Sequence, residues 1–104
     1  MNLGLKDKVA LVLAASKGLG LACAKGLFAE GANVVICSRS QENLTQAKKE
    51  ILKCKSIQGL NEIRTLVVDL KFEDQIKGLV SKTLEEFGKI DILVHNAGGP
   101  PSAP

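Results

Sequence analysis

The sequence predicts a doubly wound parallel α/β sheet, and three observations carry that prediction. Short apolar runs at residues 8–14, 33–38, 63–69 and 90–95 alternate with segments of helical period. The first two runs, centred on Val9-Ala10-Leu11-Val12-Leu13 and Val34-Val35-Ile36, are continuously apolar, as strands covered on both faces are. Finally, a glycine-rich turn, Lys17-Gly18-Leu19-Gly20, stands between the first strand and the first helix. Strands joined by helical crossovers lie parallel. Right-handed crossovers then give four strands the order 3-2-1-4 with three helices.

Each element has a local reason. After the strand at 8–14, a helix spans 18–30 and stops at Gly31, a residue suited to a left-handed cap. Its sheet-facing side is expected to hold Ala22, Cys23 and Gly26, small residues that permit close approach. Such packing is a sufficient reason for a glycine that costs roughly 1 kcal/mol against alanine inside a helix. The second strand is 33–38. Ser40 caps a second helix reaching 57, with Leu44, Ala47, Ile51 and Cys54 on one face, and Gly59 breaks it. The third strand is 63–69. A third helix at 72–87 buries Ile76, Leu79, Val80, Leu84 and Phe87 at helical spacing, and Gly88 ends it. The last strand is 90–95.

Composition excludes several classes. The 104 residues make one domain at most, with an expected ordered core of 5–98 and a proline-rich tail at 99–104. The net charge of +3 is spread along the chain, so solvated helix faces explain it and no nucleic-acid surface is expected. With only three Phe as aromatics, stacking platforms for single strands are lacking. Cys23, Cys37 and Cys54 have neither metal nor redox spacing, which suits small buried thiols in a reducing cytoplasm. No apolar run approaches a signal peptide or a membrane span, so a cytoplasmic chain is expected.

The chemistry gathers at the strand ends. A glycine turn opening a helix leaves backbone N–H groups at the positive end of the helix dipole, a geometry that binds phosphate. In an open parallel sheet, ligands sit beyond the carboxyl ends of the strands, at the switch point between the first and fourth. Ser16 to Gly20 and Asn96-Ala97-Gly98 both fall there. The second strand ends in Ser38-Arg39-Ser40, where NAD-binding folds place an acid against the ribose 2′-OH. No acid is present. A guanidinium binds a 2′-phosphate bidentately, and Lys17 adds a second positive charge. These residues favour NADP over NAD; the alternative is that both are ordinary surface charges.

Leu13-Ala14-Ala15-Ser16-Lys17-Gly18-Leu19-Gly20 resembles the T-G-x-x-x-G-x-G turn of the short-chain dehydrogenase/reductase family, with Leu13 and Ala14 in place of Thr and Gly. Asp91-Ile92-Leu93-Val94-His95-Asn96-Ala97-Gly98 resembles its D-x-L-V-N-N-A-G segment, with His95 for the first Asn. The resemblance covers about residues 5–100 and is closest to 3-oxoacyl-(acyl-carrier-protein) reductases and related ketoreductases. It implies a partial, Rossmann-type dinucleotide-binding domain. The implied cofactor-binding residues are Ala14, Ser16, Lys17, Gly18, Leu19, Gly20, Ser38, Arg39, Asp69, Leu70, Asn96, Ala97 and Gly98. Within these, Asp69 meets the adenine amino group and Leu70 lines the ring, although Asp69 equally suits a cap on the turn into the third helix. His95 is assigned no proton transfer, and no metal site is expected.

The same resemblance implies an NADPH-dependent reduction of a small carbonyl or acyl-thioester substrate, or oxidation of the matching alcohol. Family catalysis draws on a Ser and a Tyr-x-x-x-Lys pair, and these 104 residues contain no Tyr. The chain therefore reads as the amino-terminal half of a reductase, inactive by itself. A non-catalytic nucleotide-binding or interaction module is the alternative. The fourth strand should form an unpaired edge beside an incompletely covered face, so self-association is expected.

Overall fold

Four parallel strands hydrogen-bond in the order β3-β2-β1-β4, in a computed structural model that describes residues 5–13, 18–54 and 61–95. The elements run β1 (Val9–Leu13), α1 (Gly18–Ala29), β2 (Asn33–Ser38), α2 (Gln41–Leu52), β3 (Ile63–Val67), α3 (Glu73–Phe87) and β4 (Ile92–His95). This is the order and topology the alternating pattern predicts. The register sets Val12 beside Ile36 and Val94, and Ile36 beside Thr65, so all four carboxyl ends share one edge.

Burial follows position in the sheet. All five residues of β1 and the inner four of β2 are buried, whereas β3 and β4 are mostly half-buried or exposed. Successive side chains point to opposite faces. Val12, Val34 and Ile36 pack with Ala24 and Phe28 of α1 and with Leu44, Ala47 and Ile51 of α2. Leu11, Leu13, Val35 and Cys37 pack on the other face with Leu79 of α3 and Val68. Two helices thus cover one face and one covers the other, as the crossovers require. Leu93, on the side of α3, remains 61% exposed.

Several local details differ from expectation. The buried residues of α1 are Gly20, Ala24 and Phe28, four apart on one side. Ala22 and Gly26 are exposed and Cys23 is half-buried. Gly26 lies ~200° around the helix from Ala24 at ~100° per residue. A Cβ there would meet nothing within 4 Å, so close packing does not account for this glycine.

Helix α2 stops at Leu52, short of 57, because its end tightens. Lys53 and Cys54 donate their N–H groups to Glu50 O and Ile51 O, three residues back. Cys54 is half-buried, and Gly59 lies outside the described residues. Strand β3 ends at Val67 because only Val68 N–H still reaches Ser38 O, at 2.9 Å, while Asp69 N–H leaves the ladder. Strand β4 begins at Ile92. Asp91 still donates its N–H to Val9 O, but its carboxylate takes Val9 N–H where a strand carbonyl would otherwise serve.

On α3, Leu79 and Thr83 are buried and Leu84 is exposed. The Thr83 hydroxyl donates to Leu79 O at 2.8 Å. With its hydrogen bond satisfied within the helix, a polar residue sits on the apolar stripe at little cost. Gly88 closes α3 at φ +79°, donating to Leu84 O at 2.7 Å.

Candidate cofactor site

The carboxyl edge of the sheet collects four short segments. The first is the start of α1. Gly18 adopts φ +58° with open space around it, so the backbone conformation, rather than crowding, favours glycine. Gly20 is buried and Leu19 is exposed. The first N–H groups of any α-helix lack intrahelical acceptors and carry the positive end of its dipole. This helix start therefore presents the positive end of its dipole at the carboxyl edge of the sheet, the next described element after β1. Ala14, Ser16 and Lys17, which complete the predicted turn, lie outside the described residues.

The second segment follows β2. Ser38 is half-buried and its Oγ accepts from Ser40 N–H at 3.3 Å. Ser40 in turn caps α2, its Oγ accepting from Asn43 N–H at 3.2 Å. Arg39 stands exposed between them. Among the described residues no ion pair engages its guanidinium. Each serine uses a lone pair on the backbone and keeps its hydroxyl proton to donate. Residues 38–40 therefore offer donors and positive charge and contain no carboxylate.

The third segment follows β3. Asp69 accepts from Lys71 N–H through Oδ1 at 2.9 Å, and its own N–H donates to Gln75 Oε1 at 2.7 Å. One carboxylate oxygen thus closes the turn into α3, as the capping alternative holds, and the other stays available. Leu70 is half-buried. Gln75 had no place among the predicted site residues. Its signal was positional: it is the third residue of α3, where Glu or Gln reaches back to preceding N–H groups.

The fourth segment follows β4. His95 is exposed and lies beside Leu13 in the ladder. Asn96, Ala97 and Gly98 lie outside the described residues. Among the described residues no cluster of His, Cys, Asp or Glu could hold a metal ion, and no helix is long and apolar enough to cross a membrane.

A cleft of about 320 Å³ opens elsewhere, near the amino ends of the strands, between Lys6, Asp7, Gly31, Asn33, Asn61, Glu62 and Phe87. Its two Asn side chains already bond the backbone. The start of α1 and the residues after β2 and β3 lie at the opposite edge.

Known proteins resemble this chain in sequence and fold. Dehydrogenase/reductase SDR family member 4 of Caenorhabditis elegans is 48% identical over 93 residues, covering 89% of this chain and 34% of that protein. L-sorbose reductase from Gluconobacter frateurii, solved with NADPH and L-sorbose, superposes with a TM-score of 0.83 at 31% identity, covering 95% of this chain and 36% of that one. An NAD+-bound xylitol dehydrogenase superposes with a TM-score of 0.81 at 32% identity, covering 92% of this chain and 35% of the other. The chain thus spans about a third of the length of these relatives. The short chain dehydrogenase profile matches residues 8–104, and with the β3-β2-β1-β4 sheet and the glycine start of α1 in place, the chain belongs to that family of oxidoreductases.

Proposed function

We propose that this chain is the cofactor-binding part of an NADP-dependent oxidoreductase that reduces a carbonyl of the 3-oxoacyl type or oxidises the matching alcohol. The observation that carries the NADP preference is the donor set after β2. Ser38, Arg39 and Ser40 offer two hydroxyl protons and a guanidinium, and no carboxylate that would accept from a ribose hydroxyl and repel a phosphate. The chemistry of that set fits a dinucleotide carrying a 2′-phosphate. The substrate class rests on the sequence resemblance to 3-oxoacyl reductases.

When bound, the nicotinamide supplies or accepts the hydride. The residues of this chain bind and orient. The N–H groups opening α1 would hold the pyrophosphate, and the family resemblance adds Ala14, Ser16 and Lys17 to that phosphate site. Arg39 and the two serines hold the 2′-phosphate. Asp69 would accept from the adenine amino group while Leu70 lines the ring, and the family resemblance assigns Asn96, Ala97 and Gly98 to the nicotinamide half. Proton transfer to a carbonyl oxygen is assigned to no residue here, because the 104 residues contain no Tyr. By itself the chain should show no ketone-dependent NADPH oxidation. It should also self-associate, through the β4 edge and the exposed Leu93, and light scattering across micromolar concentrations reads that state.

Titration with NADPH and with NADH tests the cofactor assignment. NADPH should bind at least roughly tenfold tighter, as one charge-assisted hydrogen bond is worth that much. Equal dissociation constants overturn the assignment.

A further inference from the structure

We propose that Gln75 is a positioning residue for the carboxylate of Asp69, and that it acts on recognition of the adenine ring. The inference rests on the adenine role given to Asp69 above.

Val68 N–H makes the last bond to β2, on Ser38 O at 2.9 Å. From Asp69 onward the backbone needs other partners. Three local bonds supply them. Asp69 N–H donates to Gln75 Oε1 at 2.7 Å, Asp69 Oδ1 accepts from Lys71 N–H at 2.9 Å, and Asp69 O accepts from Phe72 N–H at 3.1 Å.

Two of the three lie within the turn itself. Among the described residues, Gln75 makes the side-chain hydrogen bond that ties the Asp69 backbone to α3. Phe72, the cap residue of that helix, offers no side-chain hydrogen bond, so the side chain reaching back from the first turn belongs to Gln75. With the Asp69 N–H, carbonyl and Oδ1 engaged, Oδ2 is the remaining oxygen, and among the described residues no hydrogen bond reaches it. An ionised carboxylate oxygen only accepts. The turn thus offers one oriented acceptor, which suits an exocyclic amino group. Freed from Gln75, the Asp69 N–H would turn to water, and the Lys71 N–H bond to Oδ1 would be left to orient the carboxylate on a looser turn. Part of the direction of Oδ2 would then have to be fixed at the moment of binding, which lowers affinity.

Gln75 is exposed and belongs to neither core cluster, so replacing it spares the fold. The experiment measures dissociation constants of the whole protein for NADPH and for its hypoxanthine analogue, which lacks the exocyclic amine. Thermal midpoints are recorded for every variant.

The wild type should prefer NADPH roughly tenfold. Gln75→Leu should weaken NADPH about three- to tenfold and leave the analogue within about twofold, so that the preference collapses. Gln75→Ala should give the same result without an added apolar side chain. Gln75→Glu keeps an acceptor oxygen and should restore the preference. A full wild-type preference surviving in both Gln75→Leu and Gln75→Ala overturns the inference alone. A wild type that binds both dinucleotides equally, or neither, overturns the adenine reading of Asp69 and this inference with it.

Discussion

At the amino ends of the strands, side chains bind backbone across long stretches of chain. Val9 N–H donates to Asp91 Oδ2 at 2.9 Å, and Glu62 N–H donates to Asn33 Oδ1 at 2.8 Å. Asn61 Nδ2 donates to Phe28 O at 2.9 Å and to Ala32 O at 2.6 Å. At the carboxyl ends, among the described residues, the side-chain bonds span six positions at most, among Ser38, Ser40 and Asn43 or among Asp69, Lys71 and Gln75. The helix start at Gly18 and the guanidinium of Arg39 face outward. The two ends of one sheet therefore do different work. One holds the strands in register, and the other leaves the Gly18 helix start and Arg39 exposed, as the proposed cofactor site requires. Side-chain changes at the first should alter stability and spare cofactor preference; changes to the exposed donor side chains of the second should do the reverse.

The largest stability effect is expected at Asn61. Asn61→Ala removes the donors to two part-buried carbonyls, taking the side-chain partner from Ala32 O and leaving Phe28 O only its bond from Gly31 N–H. It should cost roughly 1–3 kcal/mol in urea unfolding, with the NADPH-to-NADH preference unchanged. A changed preference with intact stability would break the division between the two ends.

Two of the three glycines of α1, Gly18 and Gly26, sharpen it. Gly18→Ala meets open space but forces a side chain into φ +58°, and should cost about 1 kcal/mol through strain at the ligand end. Gly26→Ala meets open space in ordinary helical backbone and should stabilise by about 0.5–1 kcal/mol. Thermal midpoints of the two variants should move in opposite directions. If both fall, Gly26 has a contact that the present packing does not contain.

The smallest effect is electrostatic. Val9 N–H, followed by the Lys89 ammonium, holds the Asp91 carboxyl below its ordinary 3.8. A depressed folded-state pKa adds stability above the unfolded value, and that stability is lost as pH falls through the depressed value. The stability gap between wild type and Asp91→Asn should therefore be present at neutral pH and shrink below pH 3.8. Salt screening keeps the gap small at this solvent-exposed site. A gap that widens in acid contradicts the assignment.

How legible these features are in the sequence depends on how far each reaches. Continuous apolar runs such as Val9–Leu13 mark the central strands directly, and the strict alternation with helices gives the sheet order. The edge where Ser38, Arg39 and Asp69 meet then follows from topology alone. Bonds between particular atoms do not show as a pattern. The early end of α2 turns on two N–H groups that bond three residues back. Hydrophobicity selects Leu84 for the core, yet the satisfied hydroxyl of Thr83 takes that stripe. Gly26 looks like a packing residue until helical angle puts it opposite Ala24. Gln75 reaches a backbone six positions away, a link that neither composition nor period reveals.

The most direct test of the account is Arg39→Asp, with NADPH and NADH affinities measured on wild type and variant and folding checked by thermal midpoint. NADPH binding should weaken roughly tenfold or more, as loss of a charge-assisted hydrogen bond implies. NADH should be spared, so that the preference narrows or inverts. A folded Arg39→Asp protein that binds NADPH as tightly as wild type would contradict the claim that the end of β2 selects the 2′-phosphate.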